Sequence, residues 1–169
     1  MLLTCRRGRW CRWCDNIGGG VDHDHQLPRQ AMSLTFAEAR IDRRGLPRPY
    51  DVLLGVEATL RLTMADGQVV YEEQFFPIVE LAVALQDWLC DGFAVGSDFS
   101  FDSVESDDTG LLWCRACGSG WRIGALEQDF PDLTMYSQAE VKALFSRFIA
   151  TVDEWLKAEI GGSLSSARP

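Results

Sequence analysis

Residues 52–76, VLLGVEATLRLTMADGQVVYEEQFF, set the architecture of this chain. Leu54, Val56, Ala58, Leu60, Leu62 and Met64 fall on one face of an extended segment, and Glu57, Thr59, Arg61 and Thr63 fall on the other. That period of two belongs to a strand in a sheet with one buried and one wet side. Asp66-Gly67 then predicts a two-residue hairpin of type I′, since both central positions of that turn want positive φ. The return strand runs over 68–76, and the short loop sets Arg61 opposite Glu72 on the solvent face, a favourable cross-strand pair.

The pattern extends in both directions. Residues 34–41 read as an earlier strand, followed by a loop holding Pro47 and Pro49. Pro77 opens a helix that runs to about Cys90, with Ile78, Leu81, Ala82, Leu85, Trp88 and Leu89 as its apolar stripe and Gly92 as its stop. Strands are expected over 98–105, 110–117 and 121–127, joined by turns at Asp107-Asp108-Thr109-Gly110 and Gly118-Ser119-Gly120. Ser137-Gln138-Ala139-Glu140 is a capping box. It starts a long helix with Val141, Leu144, Phe145, Phe148, Val152, Trp155 and Leu156 on one face, ended by Gly161-Gly162. The expected fold class is α+β: an antiparallel sheet of five or six strands with two helices packed on one face, in the order β-ββ-α-βββ-α.

Composition divides the chain at Met32. Residues 1–31 hold both histidines (His23, His25), Cys5, Cys11 and Cys14, and five Arg against three Asp, a net charge of +2. Subtracting these from totals of 16 Lys+Arg and 25 Asp+Glu leaves 11 against 22 in residues 32–169, a net charge of −11. Residues 1–31 are expected to be a disordered leader, read first as sequence upstream of the true start and second as a genuine flexible arm. Residues 32–160 are expected to form one domain, and 161–169 a disordered tail.

The acidic balance argues against nucleic acid, whose phosphates need clustered Lys and Arg, and it would steer a basic partner. No apolar run approaches the roughly 20 residues of a membrane helix, and the N-terminus lacks the apolar stretch of a secretory signal. A cytoplasmic protein is expected, its six cysteines free thiols.

Candidate chemistry is sparse. Cys114-Arg115-Ala116-Cys117-Gly118 has the form of half a zinc knuckle, and Cys11 and Cys14, or His23 and His25, are the available partners. About a hundred residues separate the two Cys-x-x-Cys pairs, far beyond finger spacing. The preferred reading is that Cys114 is a small buried residue; no metal or cofactor is expected. With no histidine after His25, a Ser-His-Asp or Cys-His arrangement cannot be assembled in the domain. The hairpin register places Glu73 on the apolar face with Val69, Tyr71 and Phe75, where a buried acid would have a raised pKa. A bulge at Glu72-Glu73, the preferred reading, returns Glu73 to solvent and turns Phe76 inward. Asp98, Asp102, Glu105, Asp107 and Asp108 form an acidic cluster without the spacing of a calcium loop. Trp113, Arg115 and Arg122 are expected to share an outward sheet face, a composition found at interface hot spots and in ordinary cation–π pairs.

The stretches Phe99-Ser100-Phe101-Asp102-Ser103-Val104-Glu105, Gly110-Leu111-Leu112-Trp113 and Gly120-Trp121-Arg122-Ile123-Gly124 resemble small uncharacterised bacterial α+β domains, some of them similar to immunity proteins of toxin systems. The resemblance spans residues 34–160 and carries no catalytic residue. It implies a non-enzymatic domain whose acidic surface caps a basic toxin. The expected function is therefore a protein-binding domain, with Trp113, Arg115, Arg122, Asp98 and Asp102 as candidate binding residues. The alternatives are a small zinc protein using Cys11/Cys14 and Cys114/Cys117, and a carboxylate-dependent enzyme centred on Glu73.

Overall fold

The computed structural model describes residues 32–41, 55–103, 108–126, 128–129 and 135–167. The leader 1–31 with Cys11, Cys14, His23 and His25, the loop holding Pro47 and Pro49, and Glu105 and Asp107 lie outside the described residues.

Strand β1 (Ser33–Ile41) pairs antiparallel with β2 (Val56–Thr63), and β2 pairs with β3 (Val69–Phe76), so the alternating strand becomes the centre of a three-stranded sheet. Val56, Ala58, Leu60 and Leu62 of β2 are buried, as their alternation requires. Helix α1 (Ile78–Asp91) and a 3₁₀ turn (Phe93–Val95) follow. Strands β4 (Phe99–Phe101), β5 (Leu112–Cys117), β6 (Gly120–Ala125) and the two-residue β7 (Gln128–Asp129) form a second antiparallel sheet in that order. Helix α2 (Gln138–Ile160) follows the second sheet.

The expectation of one sheet of five or six strands is thus corrected to two sheets. Helix α1 is buried over a wider arc than its predicted stripe, with Val79 and Gln86 also enclosed. A single sheet covers a helix from one side only; α1 instead packs on β2 and on β4, and α2 on β1 and on β6. The buried apolar side chains of both sheets and both helices form one contiguous cluster. Trp88 is ringed by aromatic side chains, with centroids of Phe93, Phe99, Trp121 and Phe145 at 4.9, 5.3, 5.5 and 5.9 Å. The Trp88 indole N–H donates to the Ser97 carbonyl at 2.8 Å, so this buried polar atom is satisfied. A Cβ at residue 92 would lie 2.7 Å from Trp88 Cδ1, and this close approach is why glycine follows the helix.

The hairpin differs from expectation in its turn. Gly67 N–H donates to Met64 O (3.0 Å) and Met64 N–H to Gln68 O (2.8 Å), closing a three-residue loop with positive φ at Gly67 alone. Asp66 accepts from the Gln68 N–H instead of adopting the left-handed conformation itself. A register shift at Leu62/Thr63 absorbs the extra residue, so Arg61 still faces Glu72 and their side chains form an ion pair.

The capping box at Ser137 and Glu140 is present in both directions, and Gly161 closes α2 with φ 66°. The segment beyond, expected to be a disordered tail, turns back: Leu164 and Ala167 are buried, and Leu164 N–H donates to Asp153 at 2.9 Å.

Candidate functional site

The predicted binding residues gather on the outer face of the second sheet. Trp113 pairs with Gly124, Arg115 with Arg122, and Ser100 with Trp113, all on the side away from Phe99, Leu112, Cys114 and Ile123. Trp113 nonetheless does not protrude. Its ring lies across Gly124, where a Cβ would fall 2.0 Å from Trp113 Cζ2, and its N–H donates to Leu126 O at 2.9 Å. Arg115 covers it from outside, guanidinium carbon 4.4 Å from the ring centroid. The acids are engaged with backbone: Asp98 accepts from Ala116 N–H, and Asp102 from Gly110 N–H. They tie the two ends of β5, while Arg115 is exposed on this face and Arg122 is half-buried.

The cysteine pair does not make a knuckle. Strand β5 runs through Cys117, and side chains three apart on a strand point to opposite faces. Cys114 is fully buried on the core side while Cys117 is half-buried on the other. Burial, then the charge of Asp98 and the neighbouring Cys117, push the Cys114 thiol up, away from the thiolate that metals bind. Among the described residues no group of three or more His, Cys, Asp or Glu side chains is placed to hold a metal.

Glu73 is exposed and Phe76 buried, although the bulge responsible lies later than expected. Leu60 still pairs with Glu73, and the shift falls between there and the Ala58–Phe76 pair. Glu73 therefore keeps the face of its partner Leu60, but on an edge strand of the sheet, where its side chain is exposed. Its carboxylate acts on a neighbour: burial first, and the Glu73 charge second, raise the Tyr71 phenol above its ordinary value.

A different site emerges on the outer face of the first sheet. Strand β1 carries an extra residue between Ala37 and Arg40, and β3 carries one between Glu73 and Phe76. At these points Glu38 and Phe75 take φ of 54° and 58°, uncommon for a carboxylate residue and a genuine outlier for a bulky ring. The two irregularities flank Ala58 and Thr59 from opposite sides and open a small cleft of about 50 Å³. Glu38, Arg40, Glu57, Thr59, Gln74 and Phe75 line it. Thr59 is 6% exposed at its floor and donates to Glu38 Oε2 at 3.5 Å, whereas Phe75 on the rim is 60% exposed.

None of Glu38, Arg40 or Phe75 was singled out from the sequence as part of a site, yet phase carries the signal. Phe36 and Ile41 both pack on the core though they lie five positions apart, an odd step that would put them on opposite faces of a regular strand, so β1 must contain a bulge. The tandem Glu72-Glu73 and Phe75-Phe76 break the alternation of β3 in the same way.

Two antiparallel sheets sharing a pair of helices, with a bulge-lined cleft on one outer face, define an α+β domain. The chain belongs to the family described as a domain of unknown function (DUF7878), whose model matches residues 33–158. No curated protein and no solved structure matches it. No helix among the described residues is long and apolar enough to cross a membrane.

Proposed function

We propose that this chain is a non-catalytic protein-binding domain whose partner is basic. The observation that carries the reading is charge: Asp and Glu outnumber Lys and Arg by 25 to 16, and residues 32–169 alone hold 22 against 11. A field of this sign raises the on-rate of a positively charged partner and disfavours anionic ones. The immunity-type role implied by the resemblance is the specific form of this reading, an acidic domain capping a basic toxin.

Affinity capture with the full chain at low ionic strength, followed by stepwise salt elution, tests it. One basic protein in stoichiometric amount, released as salt rises, is expected, because exposed charge pairs are screened over about 10 Å at 0.1 M salt. Recovery of no partner, or of an acidic one indifferent to salt, overturns the reading. The immunity form further expects a gene for a basic toxin beside this one; solitary loci count against it.

A further inference from the structure

We propose that the cleft between the two bulges of the first sheet is a receptor for a single guanidinium group, an arginine side chain of the basic partner. The inference rests on the binding reading above and adds to it a place and a chemistry.

Three features of the cleft support it. Its walls bear two carboxylates, Glu38 and Glu57, against one guanidinium, Arg40, so the balance favours a cation over an anion. Phe75 presents a ring that is 60% exposed at the rim, a surface on which a planar guanidinium stacks while its fork meets a carboxylate. The size also fits: about 50 Å³ is far below the range of small-molecule pockets and admits only a group of a few heavy atoms, such as the tip of one side chain.

The backbone adds weight. Non-glycine residues at positive φ persist only where surrounding structure holds them, and two of them here converge on one point from separate strands. Other occupants fit less well. A second copy paired along β3 would set Glu72 and Glu73 against their own like charges in a chain of net charge −9. An added strand would meet an edge whose ladder is broken at Phe75.

The test is a titration of the full chain with N-acetyl-arginine amide, followed by amide shifts in NMR, with N-acetyl-leucine amide as the comparison. Shifts concentrated at Glu38, Ala58, Thr59 and Phe75, and absent with the leucine probe, are expected. Glu38→Gln should weaken binding about fivefold, the upper range for an exposed ion pair. Phe75→Gly, which removes the ring while suiting the positive φ, should weaken it about two- to fivefold. Circular dichroism checks that both variants are folded. No shifts, shifts spread evenly over the acidic surface, or binding unchanged in both variants overturns the proposal. If a captured basic partner binds the wild type and the double variant E38Q/F75G equally, the cleft fails and the binding reading stands. If the arginine probe fills the cleft but no basic protein is captured, the reading fails instead.

Discussion

Glu38 and Phe75 lie on strands that do not pair with each other, yet both adopt positive φ, 54° and 58°, on either side of Ala58–Thr59 in the strand between them. Both bulges re-aim side chains at one spot, and both strain the chain to do so.

Relief of that strain is measurable. A left-handed conformation in a non-glycine residue costs roughly 1–2 kcal/mol, and glycine's extra entropy in a strand returns roughly 0.5–1 kcal/mol. Since Phe75 is largely exposed, little burial is lost on its removal. Phe75→Gly should therefore raise the urea midpoint, by about 0.5–1 kcal/mol in stability, with an unchanged slope. A lowered midpoint would mean that the ring contributes packing that outweighs the strain.

Gly124→Ala should be severely disruptive. The new methyl would sit 2.0 Å from Trp113 Cζ2, and the ring is held by its bond to Leu126 O and cannot swing away freely. Overpacking of this kind costs about 1–3 kcal/mol. Thermal unfolding should show the loss together with an altered tryptophan emission; an unchanged melting temperature would show that the outer face yields.

The capping box at the start of α2 offers a cleaner measurement. Ser137→Ala removes the acceptor for Glu140 N–H and should cost about 1 kcal/mol, while Ser137→Thr should keep most of it. Chemical denaturation of the pair checks this, and equal stability of S137A and wild type would count against a working cap.

Stability should depend on Asp153 in acid. Its partial burial raises the carboxyl pKa, but hydrogen bonds from Lys157 and from Leu164 N–H, with the Lys157 charge, outweigh it and hold the group below its ordinary value. A depressed folded pKa stabilises the protein fully above the unfolded value of about 3.9 and is lost as pH falls through the folded one. Wild type should lose this contribution below about pH 4, and Asp153→Asn should lack that component of the pH dependence. Parallel curves for the two proteins would remove Asp153 from the account.

Thiol chemistry should separate the cysteine pair. Alkylation of the native protein at pH 8, mapped by peptide mass, should modify Cys117 well before Cys114, whose thiol is buried and whose ionisation is suppressed. Equal rates would place both on one accessible surface and reopen the zinc arrangement.

The elements of this chain were legible in its sequence because their signals are local. The alternation of β2, the Arg61–Glu72 register, the stripe of α1 and the capping box of α2 each depend on residues within a turn or a hairpin of one another. Trp113, Arg115 and Arg122 were placed on one face by the same parity. Parity could not say that Trp113 would lie flat under Arg115, which depends on the absence of a side chain at Gly124 across the ladder.

By itself, then, the sequence determined the main strands and both helices, the apolar face of each, and a change of phase in β3. Tertiary structure alone decided that the strands divide into two sheets, because α1 needs cover on two sides and no local pattern records that demand. It also decided that Leu164 returns to Asp153, and that the two phase changes meet at Thr59 to form a cleft. Periodicity specifies how a segment turns its own side chains; only packing specifies which segment it turns them toward.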